Sequence, residues 1–594
     1  MFANLVLFSL ATTTAYLPPL MPWQGSSEQL MQTQGPLTTD FELGGGLVSP
    51  NYARTLEFVD RLVAANPTQF KKEIIGTSDA GRDIVMIVAT EQSQFSSAMI
   101  RNNDKPTILI QAGIHAGEID GKDAGFMLLR DIATGKRRDI LNQVNLLFVP
   151  ILNVDGHERR GEFNRINQRG PTEMGFRTNG KNLNLNRDFT KLDTPEVRSI
   201  LNVINEYQPE LYVDVHVTDG ADYQYDVTYG FNPEFSSESP AIATVLETRF
   251  KPRIDEKLSD FGHVPGPLVF VMDKREFKKG LAGWVATPRF SNGWGDLKSL
   301  PTILVENHSL KPYKQRVLGT YAFYDGVISA LVEHREELKT AVKNEKSFVP
   351  TELVVERGYA SEPDYIQFKG IEYSKFMSSL SGQHEVKYLG KPFNYEKLPI
   401  FWQKEIKHTV KVPHSFYIPA VYSEIITKLK LHGVEVIKVD ALDQDIKIKQ
   451  ASVKSFKFDK LPFEGRTRVS ATFTYNTLHE VDLSGWYQVN TQQPAGELAV
   501  HLLHPEAPDS YFQWGEFNTI FQRTEYVENY ALEPYARTLL KENPALALEF
   551  DTIVRENKGF ASDPEARLAW LYEKSPFYDN AYLKYPILIG YKQQ

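Results

Sequence analysis

The feature that most limits how this chain can fold is a series of short, continuously apolar segments between residues 80 and 310, separated by stretches with helical spacing. The segments are IVMIVAT (84–90), TILIQAG (107–113), VNLLFVPI (144–151), LYVDVHV (211–217) and TILVEN (302–307), with helices expected near 120–133 and 195–207. A strand that is apolar at every position has to be covered on both faces, and helices between such strands supply the cover. The pattern predicts an α/β domain built on a mainly parallel mixed sheet with helices on both faces. The helix near 195 carries its own start signal, with Thr194 as N-cap, Pro195 at the first helical position and Val197, Ile200, Leu201 and Ile204 following at helical spacing. An earlier helix is expected from near Pro50, with Leu56, Val59, Leu62 and Val63 on one face.

A chain of 594 residues exceeds what one core usually organises. Its character changes after 310, where a long charged helix (roughly 313–343) leads into strand-rich stretches at 352–375 and 408–510 and a helical one at 533–574, with Asp563 and Pro564 as a start signal. This places a boundary near 345, giving a first domain at 46–345 and a β-rich α+β accessory domain at 346–594. Residues 16–45, rich in Pro, Gln, Gly and Thr, read as a leader. Residues 1–15, MFANLVLFSLATTTA, resemble a signal peptide, which implies a secreted or periplasmic protein. No other stretch approaches the roughly 18 apolar residues of a membrane span. A net charge of -9 without a long basic run gives no footprint for nucleic acid.

The chain has no cysteine, so disulfides, thiolate nucleophiles and Cys-based zinc sites are excluded, and any metal must be held by His and carboxylates. The motif His115-Ala-Gly-Glu118 has HxxE spacing, which can bring an imidazole and a carboxylate to one metal. The spacing recurs at His334/Glu337 and His432/Glu435, where it reads as a solvated or amphipathic surface. Context distinguishes the first instance, because His115 and Glu118 follow an apolar strand directly. Ligands of open α/β sheets bind in the crevice beyond the carboxyl ends of the strands. His216 ends the segment 211–217, Glu306 ends 302–306, and Asn153 and Asp155 lie just past 144–151, so four strand ends present polar groups to one rim. Singly, His216 reads as a hydrogen-bonded core histidine and Glu306 as a structural ion pair. Together, two imidazoles and a carboxylate leave a tetrahedral zinc one open position for water.

The pieces QAGIHAGEIDG, LNVDGHE, NLNLNRDF, DVHV and TILVENHS, in this order, resemble the M14 zinc carboxypeptidase family over roughly residues 50–340. The resemblance implies one zinc per chain held by His115, Glu118 and His216, with Glu306 as general base and acid. It implies Asn186 and Arg187 as the pair that binds a substrate's terminal carboxylate, Arg177 as the arginine that polarises the scissile carbonyl, and peptide or protein C-termini as substrates. The chain departs from the family pattern in four ways. Gly117 stands where HxRE commonly has Arg, and Asn184 where an Asp usually orients the first zinc histidine, its amide oxygen still able to accept the imidazole N–H. Val217 replaces the usual Ser. No tyrosine occurs between 281 and 306, where the substrate-covering tyrosine is expected; the loop offers Trp284, Arg289, Phe290 and Trp294 instead. Other readings of the same residues are a muropeptide carboxypeptidase or amidase, a deacylase of small N-acyl amino acids, and a non-catalytic peptide- or glycan-binding protein. Aromatic-rich segments after 346 read as core and interface of the accessory domain, with glycan or peptide stacking as the alternative.

Overall fold

The computed structural model describes residues 16–91, 93–218, 220–440, 445–523 and 525–593. The segment 1–15, read above as an export signal, lies outside them. Among the described residues no helix is long and apolar enough to cross a membrane.

Strands before residue 310 are β1 (Phe70–Thr77), β2 (Asp83–Ala89), β3 (Thr107–Ala112), β4 (Asn145–Val149), β5 (Leu211–Thr218), β6 (Val227–Gly230), β7 (Pro265–Pro267), β8 (Val269–Val271), β9 (Leu281–Gly283) and β10 (Thr302–His308). Eight of them form one sheet in the order β1-β2-β4-β3-β5-β10-β6-β7. Its centre is parallel, from β4 through β3 and β5 to β10. β1 on β2, β2 on β4 and β6 on β10 run antiparallel. Every residue of β3, β4 and β5 is buried, which is why apolar residues dominate these segments.

The main helices here are α1 (Tyr52–Ala65), α2 (Asp120–Ala133), α3 (Pro195–Tyr207), α4 (Ser291–Leu297) and α5 (Tyr313–Ser347). Val215 of β5 lies against Gly121 of α2. Its neighbours Asp214 and His216 therefore point to the opposite face, where Ser291 of α4 meets Asp214. The sheet is thus covered on both sides. Thr194 precedes α3 as expected but does not cap it with its side chain. Its hydroxyl donates instead to the buried Asp188, which also takes Lys191 and the backbone N–H of Asp193. A buried carboxylate needs those donors more than the helix end does.

Beyond α5 come β11 (Glu352–Gly358), β12 (Asp364–Met377), β13 (His384–Trp402), β14 (Glu405–Lys411), β15 (Ser415–Ile418), β16 (Ile437–Lys438), β17 (Ile446–Phe458), β18 (Val469–Leu478), β19 (Tyr487–Asn490) and β20 (Leu588–Lys592). β13 covers 384–402, a stretch with no strand pattern in the sequence. Most of its residues are at least partly exposed, so no buried face imposes an apolar alternation. The helix started by Asp563 runs from Pro564 to Glu573, and Asp563 caps it through the N–H of Ala566.

The two halves interlock. β13 pairs with β9, so the long β12–β13 hairpin completes a sheet begun before residue 283. One contiguous apolar core takes residues from Leu37 to Ile589. Polar contacts reinforce it: Trp514 Nε1 donates to Thr190 Oγ1 at 3.0 Å, and Arg466 Nε to Asp193 at 2.9 Å. His432, read above as part of a surface HxxE, is fully buried in this seam, where Nδ1 accepts from Trp294 Nε1 at 3.0 Å. The reason is that Trp294, a large side chain with one donor, needs an acceptor once buried. The third instance stays near the surface, with His334 Nδ1 3.5 Å from Glu337.

Candidate metal centre and active site

At the end of β3, Gly113 turns the chain with φ +66°, a conformation that favours glycine, and His115 and Glu118 follow at the carboxyl edge of the sheet. His216 is near the end of β5, one strand over. Glu306 lies directly beside His216 in the parallel register of β5 and β10. Three of the four strand ends thus meet. The fourth does not: Asp155 is engaged by Ser78, the N–H of Ala80 and Arg82, and Asn153 ties down the carbonyls of Ile114 and Arg177. Both are structural, because the chain after β4 turns under the rim.

His115 Nδ1 and His216 Nδ1 face one another at 3.1 Å, and each lies within 3.2 Å of Glu118 Oε2. All three residues are buried. Two imidazole nitrogens and a carboxylate oxygen converging in this way fit a cation between them, and the donor set is the one that suits zinc. The distal nitrogens are fixed. His115 Nε2 sits 2.9 Å from Asn184 Oδ1, as expected, and His216 Nε2 sits 2.9 Å from Asp214 Oδ2. Such contacts hold the rings so that Nδ1 points inward. The carboxylate missing at position 184 therefore stands beside the other imidazole instead. Asp214 lies inside the quoted DVHV motif but was not assigned a role from sequence. Burial disfavours a charged imidazole at both positions. It drives His115 down to about 4, whereas Asp214, Glu118 and Glu306 together hold His216 well above its ordinary value. Burial alone would raise Glu118, yet His115 and Arg165 hold it well below the usual carboxylate range.

Arg165 is a second residue that sequence reading missed. NH1 donates to Glu118 Oε1 at 2.7 Å and NH2 to Val217 O at 3.2 Å. It joins the segment carrying Glu118 to the one carrying His216. Arg177 NH1 donates to the same Oε1 at 3.0 Å, with 42% of its side chain exposed toward solvent. The Arg165 side chain runs over Gly117: a Cβ there would come within 2.7 Å of Arg165 Cδ and 2.8 Å of Gly175 O. The absent side chain at 117 and the presence of Arg165 are two sides of one packing solution. The only sequence clue was the vacancy at 117.

These groups line a cavity of about 560 Å³. Glu306 enters it with Oε2 unpartnered, its carboxyl pushed up to about 8 chiefly by burial, with His216 opposing and Glu118 adding to the rise. Arg187 lies in the same cavity. Its NH1 donates to Asn186 O at 2.6 Å, its guanidinium lies 4.2 Å from the Phe290 ring centroid, and among the described residues it forms no ion pair. Burial, with Arg177 close by, depresses it to about 10. Asn186 also lines the cavity, its Oδ1 taken by Ser291 N and its Nδ2 3.3 Å from His216 Nε2. Of the loop residues, Trp284 and Phe290 form an aromatic wall with Phe270. Arg289 turns away to Asp509 at 2.7 Å, and Trp294 is buried in the seam.

A buried His–Glu–His cluster at the carboxyl edge of a parallel sheet, with the carboxyl of Glu306 beside it, is an arrangement that can hold a metal ion. Residues 55–264 match the family model described as zinc carboxypeptidase, that of the M14 peptidases, and this match supports a hydrolase of the metallocarboxypeptidase type. The match contains His115, Glu118, Arg177, Asn186, Arg187 and His216, and Glu306 lies beyond it. Similar solved structures include carboxypeptidase A from Helicoverpa armigera (14% identity, 52% of this chain and 80% of that one, TM-score 0.38). A metallo-carboxypeptidase from Burkholderia cenocepacia shows 16% identity over 48% and 69%, with TM-score 0.34. One from Pseudomonas aeruginosa, in complex with (2-guanidinoethylmercapto)succinic acid, shows 18% over the same shares, with TM-score 0.33. A comparison with curated proteins finds no match.

Proposed function

We propose that this protein is an exported zinc carboxypeptidase that removes C-terminal residues from peptides, with a catalytic domain at 46–345 and an accessory domain at 346–594. His115, Glu118 and His216 hold one zinc per chain. When bound, zinc supplies a Lewis acid that polarises a carbonyl and makes water acidic enough to attack near neutral pH. The observation that carries the exopeptidase reading is Arg187, a guanidinium without an ion-pair partner among the described residues, in the cavity that holds the metal ligands. Its planar fork suits both oxygens of a terminal carboxylate, and Asn186 stands beside it with an amide N–H. Arg177, anchored on Glu118 and otherwise open to the cavity, meets the scissile carbonyl oxygen as charge develops there. Glu306, with its Oε2 unpartnered, takes a proton from water and returns it to the leaving amine. The aromatic wall of Phe270, Trp284 and Phe290 flanks the departing residue.

The test compares wild type, Glu306→Gln and Arg187→Gln on peptides with free and amidated C-termini, together with zinc content. Wild type is expected to contain zinc and to release residues only from free C-termini. Glu306→Gln should keep the metal and lose release, and Arg187→Gln should raise KM for free C-termini. Equal cleavage of amidated peptides would overturn the role of Arg187; failure to take up metal after zinc reconstitution would overturn the whole reading.

A further inference from the structure

Four lysines crowd one groove in the C-terminal half. Lys411 ends β14, Lys447 and Lys449 alternate on β17, and Lys592 ends β20. β17 and β20 are paired, with Lys447 opposite Tyr591. The groove encloses about 560 Å³ and shares no lining residue with the metal centre. The ammonium groups of Lys411 and Lys449 lie 5.6 and 5.2 Å from the ring centroid of Tyr591, which holds both in place. Among the described residues none of the four lysines forms an ion pair. The carboxylate that lines the groove, Glu506, is occupied by His408 Nε2 at 2.6 Å and by the Tyr475 hydroxyl.

A second feature points the same way. His504 is 3% exposed and lines the groove. Its Nδ1 accepts from Glu506 N at 3.4 Å, and burial keeps the ring neutral by driving it down to about 4. A neutral ring that accepts at Nδ1 carries its proton on Nε2. That nitrogen is a donor with no partner among the described residues.

Like charges gathered in one groove repel, and the chain as a whole is acidic at -9, so basic composition does not account for the cluster. The groove holds lysines and no arginine. Lysine acts as a point charge with rotatable donors and is an established binder of phosphate oxygens. With two ammonium groups over it, Tyr591 serves the cations rather than offering a bare face for a sugar or base. We propose that this groove is a binding site for a multiply charged oxyanion, a phosphate or sulfate, either free or as an ester group on a polymer.

The test uses the full-length protein, with inorganic pyrophosphate and fluorescein-labelled dextran sulfate as probes, at low and at physiological ionic strength. Lys447→Gln with Lys449→Gln is compared with Lys454→Gln and Lys457→Gln, which remove the same charge from the same strand outside the groove. Wild type should bind at least one probe, with affinity falling as salt rises. The groove variant should bind about tenfold or more weakly, a change of about 1.4 kcal/mol, and the control variant within about twofold of wild type. Pyrophosphate binding of comparable strength would mark a small-anion site, and binding of dextran sulfate alone a polymer site. Equal loss in both variants, or no binding of either probe, would overturn the proposal.

Discussion

Glu118 shows how far the geometry of the proposed metal site is set by residues outside the His–Glu–His cluster. One of its oxygens faces the two histidines while the other is held by Arg165 and Arg177. Replacing Arg165 by Gln should weaken zinc affinity by about 10- to 100-fold, the usual cost of losing a partner that orients a ligand, as measured by chelator competition. Lys at 165 should recover only part, since it can satisfy Glu118 Oε1 or Val217 O but not both. Gly117→Ala is expected to destabilise the fold by about 1–3 kcal/mol in denaturant unfolding, because the new Cβ meets a backbone carbonyl that cannot swing aside. Unchanged metal affinity in Arg165→Gln would refute its positioning role. At this scale His115, Glu118, His216 and Glu306 could be singled out from the sequence, since each sits near a strand end and strand ends could be read from apolar runs. Arg165 and Asp214 were not, because their roles depend on where a side chain reaches: Arg165 across 47 positions to Glu118, and Asp214 two positions along its own strand to His216.

Among the elements, α4 and the loop before it are the most consequential. The loop carries Trp284 and Phe290 into the cavity, and α4 carries Ser291 to Asp214 and Trp294 to His432. Phe290→Ala removes the ring beneath Arg187, worth about 0.5–2 kcal/mol, so KM for free C-terminal peptides should rise by about two- to thirtyfold with a smaller change in kcat. Asp296 on α4 also lies near two carboxyls that burial pushes up to about 8, Glu238 and, on the helix Gly496–Leu503, Glu497. Their ordinary value is 4.5, so between about pH 4.5 and 8 the folded chain holds protons that the unfolded chain has released. The stability from this pair is full at the acid end and lost as pH rises through about 8. The Tm should therefore fall from about pH 5.5 to 8, and Glu497→Gln should flatten that slope; an unchanged slope would show that Glu497 contributes nothing to it. The apolar strands were readable as elements because burial on two faces leaves a mark in composition. β13 was not, because a half-solvated hairpin carries no such mark.

In the whole molecule, the division near 345 that the sequence suggests cuts across a single core. Trp294, Thr190 and Asp193 all have partners beyond residue 430. A chain ending at 345 is expected to lose cooperative unfolding and to aggregate, checked by calorimetry and light scattering against the full-length protein; a soluble, cooperatively unfolding fragment would contradict this. Sequence could mark the change of composition at 345 but not the seam, since the partners are brought together only by the fold. The seam also reaches the surroundings of the His–Glu–His cluster. The backbone N–H of Asn184 donates to Glu464 Oε2 at 2.8 Å while its side-chain oxygen steadies His115. A copy nicked or loosened in its C-terminal half is expected to lose this hold on His115, so the wholeness of the chain bears on the geometry of the proposed metal site.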